Sequence, residues 1–320
     1  MLTYLDSGVD IKKADLLTDL IKNTVKSENI GLFAGLAEHP ALPDYYIAAT
    51  SDGIGTKIIP LIENNLYNCI ANDLIAVNFN DLICSGAVPL FFLDYIAVNK
   101  LNVDFTAKII TSLQEQLKSY NTILIGGETS ELKDLIKENY FDIAGFSAGF
   151  VKKENLLKKE NVKKGDIIIG LISNGIHANG FSLVRKLYKD KLLSDSEFFS
   201  ALKPSYIYAK EIKELCNKKL IKACANISGG GIEANVKRII PDNLCGEIDL
   251  KNIPSQHIFE KIKKFTGEQE AYRVFNMGAG FCIIVSPENL EEIIKTCGKY
   301  NPFTLGVIKE NDKNCNLCFR

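Results

Sequence analysis

The run Tyr45–Ala49 followed at once by TSDGIGTK, residues 50–57, constrains this chain more than any other stretch. The β-rich run predicts a strand. On the turn that follows, Gly53 and Gly55 let backbone N–H groups come close to an anion, because no Cβ stands in the way. Asp52 has the oxygen chemistry for a divalent cation, and Lys57 is a mobile point charge suited to phosphate oxygens. The turn is not a P-loop, which needs Gly-Lys-Ser/Thr after a longer spacing, whereas Thr56 precedes the lysine here and Ile58 follows it. Gly-x-Gly after a strand is also how an ordinary tight turn reads, so its meaning depends on its company.

At 320 residues the chain exceeds the size at which one core usually stops growing, and two domains are expected. With 38 Lys+Arg against 39 Asp+Glu there is no charge surplus for nucleic acid or an anionic membrane, so neither is expected as a partner. The opening MLTYLDSGVDIKKADLL lacks a secretory pattern and no apolar run reaches membrane-spanning length, which places the expected location in the cytosol. Nine scattered cysteines, mostly in apolar surroundings such as Cys69, Cys84, Cys224 and Cys282, read as buried reduced thiols. Cys315-x-x-Cys318 lacks both the second ligand pair of a zinc site and the strand-to-helix setting of a redox dithiol, and reads as structural.

Along the chain, helical spacing predicts a first amphipathic helix over 15–26, then a loop over 31–42 that leads to the Tyr45 strand. A buried helix over 71–85 is interrupted by Asn72, Asp73, Asn78, Asn80 and Asp81; Asp73 and Asp81 fall within about 80° of each other on an ideal helix and are expected to line a cation or substrate site. PLFFLDYIAV, residues 89–98, reads as a buried strand whose Asp94 needs a partner or a cation. After a helix over 105–120, the strand 122–125 runs into Gly126-Gly127-Glu128-Thr129, a second glycine turn ending in a carboxylate. A further strand covers 142–151. The charged stretch 152–164 reads as a connection, giving domains 1–155 and 156–320.

Beyond it the pattern restarts with a strand over 166–172, the loop SNGIHANG and a helix over 181–188. His177 in that loop is either a site residue or a surface histidine. ACANISGGG, residues 223–231, ends in a triple glycine before a helix, a natural phosphate cradle. Gly229-x-Gly231-x-x-Ala234 also fits a dinucleotide fingerprint, although no pair of βαβ halves accompanies it.

TSDGIGTK, NDLI, GAVPLFFLDYIA, LIGGETSEL, DIAGFSAGFV, SNGIHANGFSLVRK, SGGGIEANVKRIIPDN and YRVFNMGAGF, in that order, resemble the AIR synthetase family of purine biosynthesis, as does the opening YLDSGVDI. The resemblance covers essentially the whole chain. It implies a homodimer of two-domain α/β (α+β) subunits, with an N-terminal mixed sheet pairing across the dimer, a C-terminal α/β domain and an ATP site between the halves. It further implies ATP- and Mg²⁺-dependent ring closure of formylglycinamidine ribonucleotide by way of an imino-phosphate.

Carried onto this sequence, the family's motifs give Asp52, Gly53, Gly55, Thr56 and Lys57 at the nucleotide, joined by Gly126, Gly127, Glu128 and Thr129. Asp52, Asp81 and Glu128 are implied as metal ligands, and Lys57, Asp81 and His177 as catalytic groups. Asn179 with Ser228, Gly229, Gly230 and Gly231 is implied at the substrate and its phosphate. The chain departs from the family where the early glycine loop shrinks to GLFAG, where Leu132-Lys133-Asp134 replaces Met-Pro-Gly, and where Asn226 stands in place of a histidine. Alternative readings are a selenophosphate synthetase or thiamine-monophosphate kinase type of ATP user, or a nucleotide-binding protein without turnover.

Overall fold

The computed structural model describes residues 1–25, 33–311 and 315–320; residues 26–32 and 312–314, which include the end of the expected first helix and the start of the expected 31–42 loop, lie outside the described residues. The first sheet contains β1 (Gly35–Glu38), β2 (Tyr45–Gly53), β3 (Val88–Val98), β4 (Ile123–Glu131) and β5 (Phe141–Lys152), in the order β1-β2-β5-β3-β4. It is mixed: β3 and β4 are parallel and the other pairs antiparallel. The parallel pair needs a crossover, supplied by the helix Val103–Lys118, whose N-terminus is capped by the Asn102 side chain accepting from Phe105 N–H.

One face of this sheet is covered by the helix Tyr67–Leu82. Leu74, Ile75 and Phe79 are fully buried, and the Phe79 ring meets Phe92 of β3 edge-on at 6.1 Å. Helix and sheet approach so closely that a Cβ on Gly145 would lie 2.6 Å from Asn78 Nδ2.

The second sheet contains β6 (Ile167–Ile172), β7 (Ala223–Asn226), β8 (Leu244–Ile248), β9 (Ala279–Val285), β10 (Phe303–Glu310) and β11 (Leu317–Phe319), in the order β11-β8-β10-β6-β9-β7. Helices cover it, and β9, AGFCIIV, is buried along its whole length, as its continuous apolar run requires. The two sheets share part of their interior, beside a second cluster that belongs to the second sheet alone. One apolar cluster runs from Ile54, Leu74 and Phe79 through Phe181, Tyr208 and Phe281.

Local expectations shift in two places that matter for function. β2 does not stop at Ala49 but continues through Gly53, so Asp52 is a strand residue, and the turn proper is the short 3₁₀ segment Gly55–Lys57, opened by Gly55 at φ +58°. Likewise Gly126–Thr129 is not a turn, because β4 stays paired with β3 through Glu131, with a bulge opposite Phe92 and Leu93. The helix Ile58–Glu63 was masked in the sequence by Pro60, which sits harmlessly in its first turn. The helix Asp195–Ala201 had a legible signal, the Ser194-x-x-Glu197 capping box, whose two reciprocal hydrogen bonds are both formed.

Candidate functional site

Asp52 is the last residue but one of β2, its carboxylate accepting from the Gly53 N–H at 2.8 Å. The turn that follows touches the second half of the chain, where Thr56 Oγ1 and Ser182 Oγ share a hydrogen bond of 3.0 Å. Asp52, Gly53, Gly55 and Thr56 thereby form one wall of a cavity of about 280 Å³; Tyr4 and the 178–182 loop, with Asn179, form the others. Residues expected at the nucleotide and at the substrate thus face one space, each contributed by a different sheet.

The SGGG loop joins this space from the side of Asn179, whose Oδ1 lies 3.6 Å from where a Cβ on Gly229 would stand. Gly230 and Gly231 take φ of +88° and +64°, and any side chain on Gly231 would collide with the Tyr272 carbonyl. Asn235, one turn into the following helix, donates to the carbonyls of Gly229 at 3.2 Å and Gly231 at 2.8 Å, fixing the loop's shape. Sequence reasoning passed over Asn235, although a polar residue on the buried side of a helix was the available signal.

Asp81 sits in the last turn of the helix Tyr67–Leu82 and accepts from Asn226 Nδ2 at 2.8 Å across the domain boundary. The asparagine that departs from the family pattern is therefore the direct partner of the expected metal carboxylate. Burial pushes Asp81 up to about 7; the Asn226 hydrogen bond opposes this, the Asp52 charge adds to it, and Arg238 opposes it more weakly. Asp52 is also raised by burial, against the Gly53 N–H. Two neighbouring carboxyl groups with raised affinity for a proton lack positive charge, and a divalent cation fits that deficit. The pair is only part of a coordination shell: among the described residues no three His, Cys, Asp or Glu side chains converge on a metal position.

Glu128 stands apart from this pair. It registers with Tyr95 on β3, whereas Asp52 and Asp94 both register with Gly145, so Glu128 and Asp52 lie on opposite faces of the sheet. Its carboxylate accepts from Ser130 Oγ at 2.9 Å. Gly126 and Thr129 are exposed beside it on the edge strand β4. Gly127 leaves the space that the Asp94 carboxyl occupies, and burial raises that carboxyl to about 6.

Lys57 and Asp73 depart most from expectation. Both side chains are 0% exposed, with Lys57 Nζ 2.7 Å from Asp73 Oδ2 and donating to the Lys203 carbonyl at 2.7 Å. Asp73 Oδ1 accepts from the Ser205 N–H at 2.7 Å. A lysine closed in this way is not a mobile phosphate contact, and Asp73 lines no ligand space. Together with Asn72 donating to Ser205 O and Asn80 donating to Tyr206 O, they clamp the first domain's helix to the segment 203–208. The dense polar residues that the sequence suggested for a ligand are largely used for this junction.

His177 is likewise buried. Its Nε2 accepts from Asn174 N–H at 3.1 Å and Tyr206 N–H at 3.4 Å, which assigns the proton to Nδ1. Burial, reinforced by the Lys57 charge, lowers it to about 3. It therefore organises two loops as a neutral acceptor, rather than facing substrate as a proton carrier. Imidazole ¹⁵N spectra are expected to show His177 neutral across the neutral and mildly acidic range; titration near the ordinary histidine value would refute the placement.

Two family models match the chain: the AIR synthase related protein N-terminal domain over residues 37–151 and the C-terminal domain over residues 163–314. Phosphoribosylformylglycinamidine cyclo-ligase of Clostridium botulinum is 34% identical over 330 residues, covering 99% of this chain and 100% of that protein. The chloroplastic protein of the same name from Arabidopsis thaliana is 38% identical over 322 residues, covering 96% and 81%. Among solved structures, AaThiL complexed with AMPPCP and TMP superimposes with a TM-score of 0.68 at 18% identity, over 95% of this chain and 92% of that one. At that identity the likeness is one of fold.

Proposed function

Because this chain belongs to the AIR synthase family, we propose that its interdomain cleft closes the imidazole ring of aminoimidazole ribonucleotide, consuming formylglycinamidine ribonucleotide and ATP and releasing ADP and phosphate. The observation that carries this reading is identity above 30% along essentially the whole chain with relatives named for that cyclo-ligase reaction. The thiamine-monophosphate kinase and selenophosphate synthetase readings have no comparable support, since the kinase-like neighbours agree in fold alone.

Bound ATP supplies the phosphoryl group that makes the formyl oxygen a leaving group, and Mg²⁺ supplies the charge that Asp52 and Asp81 lack. In this reading, residues 1–155 handle ATP and residues 156–320 handle substrate. Asp52 and Asp81 hold the cation, and Gly53, Gly55 and Thr56 offer backbone N–H groups. Gly126, Gly127, Glu128 and Thr129 on the edge strand stand away from the Asp52–Asp81 pair, with Glu128 on the opposite face of the sheet, and would reach a nucleotide only from a second copy paired across that face. Asn179, Ser228 and the three glycines hold the ribonucleotide, with Arg238 as a cation the sequence did not single out. Lys57 and His177 act through position, by holding the turn and the loops that shape the cavity. With substrate, ATP and Mg²⁺, the purified protein is expected to release ADP and phosphate in equal amounts. ATP binding with no substrate-dependent phosphate release would instead favour a nucleotide-binding protein without turnover.

The proposal includes a homodimer. Leu93, Phe146, Ile123 and Ile125 are exposed on the sheet face turned away from the helix, a contiguous apolar surface suited to a second copy. Phe146→Asp is expected to convert a dimer to monomer in light scattering. A wild-type protein that is monomeric at micromolar concentration would rule the pairing out.

A further inference from the structure

Two cysteines meet at one edge of the second sheet, away from the cleft, with a third nearby in sequence. Cys245 on β8 and Cys318 on β11 place their Sγ atoms 3.5 Å apart, and both are free thiols. Cys315, the other half of the C-x-x-C, is turned aside: its Sγ points to the Leu317 carbonyl at 2.9 Å and its N–H donates to Asn311 Oδ1. The thiol in contact with Cys318 is thus supplied by a strand distant in sequence. A cavity of about 510 Å³ opens onto both sulfurs, with Lys164, Glu247 and Lys309 on its walls.

We propose that Cys245 and Cys318 form a reversible oxidation site, closing a disulfide between β8 and β11 when a small-molecule disulfide enters this cavity. Cys318 is the more exposed of the two and attacks first: as thiolate it displaces one thiolate from the incoming disulfide and becomes a mixed disulfide. Cys245 then loses its proton, attacks the Cys318 sulfur and expels the second thiolate. Two protein thiols are oxidised, and one small disulfide is reduced to two thiols. Burial, helped by the neighbouring thiol, pushes Cys245 up to about 11, which suits it to the resolving step and not to the first attack.

Bond formation requires the sulfurs to close from 3.5 Å to about 2.05 Å. Because Cys318 registers with Glu247, Cys245 lies one diagonal step away, so the strands must slip slightly. The strand that must move can do so: β11 has three residues and pairs with β8 alone, at the edge of the sheet. A zinc ion is a poorer fit, since among the described residues no third ligand side chain converges there.

The full chain, equilibrated in oxidised and reduced glutathione and then alkylated, would be mapped by mass spectrometry without reduction. A Cys245–Cys318 linked peptide is expected, removed by dithiothreitol and lost in Cys318→Ser, with Cys315 still alkylated. A rise in Tm of several degrees on oxidation should accompany it and be absent in Cys245→Ser. A Cys315–Cys318 link overturns the proposal. So does a Cys245 that stays alkylatable after Cys69 has been fully modified, or tightly bound stoichiometric zinc in the purified protein.

Discussion

Asp81→Asn is expected to lower kcat by about 100-fold or more at neutral pH while leaving the protein at least as stable as the wild type. The side chain keeps its shape and a polar oxygen for Asn226, so packing is preserved. What is lost is a negative charge beside Asp52 at the cavity, the charge that cation binding requires. The stability half follows from the sign of the proton affinity. Below the unfolded pKa near 3.8, both states hold the proton. Since the folded value is raised to about 7, folding is favoured by protonation, and that contribution disappears as pH rises from about 4 through 7. The variant has no such dependence, so the Tm difference, variant minus wild type, should be near zero at the acid end and grow toward neutrality. Wild-type turnover, or a Tm gap that does not widen with pH, would remove Asp81 from the site.

Lys57→Met is expected to cost roughly 3–5 kcal/mol of stability, because it leaves Asp73 as an uncompensated charge in a closed interior. Asp73→Leu should cost a similar amount by stranding the lysine. The double variant Lys57→Met/Asp73→Leu should recover most of the loss, since removing both charges abolishes the desolvation penalty along with the attraction. Urea unfolding of the four proteins measures this cycle. If Lys57 were a phosphate contact, the single variant would instead lose turnover with an unchanged unfolding midpoint, and the double variant would show no recovery.

The contrast between these residues explains what could be read from the chain. The turn at Gly55 and the triple glycine before a helix were legible as backbone features because local sequence fixes them: Gly55, Gly230 and Gly231 all take the positive φ that glycine admits. Lys57 was misread for a definite reason. Five residues from Asp52 in the same motif, it looks equally accessible, but the 3₁₀ turn rotates it into the interior toward Asp73, and only the tertiary fold reveals that carboxylate. Gly126–Thr129 failed in the opposite way: glycines read as a turn where pairing with β3 holds them extended. Asn226, marked only as a departure, gained meaning once β7 brought it to Asp81, from 145 residues away in sequence.

The apolar cluster shared by the two sheets has a dynamic consequence. Opening the cleft by rotating one half against the other would pull Lys57 from the Lys203 carbonyl and Asp73 from the Ser205 N–H, leaving that buried pair without its partners across the junction, and would split the apolar cluster the two sheets share. Such a motion is as unfavourable as partial unfolding. The cleft therefore works as a fixed mould, selecting its occupants by outline and charge, with any gating confined to small displacements of the residues at its rim.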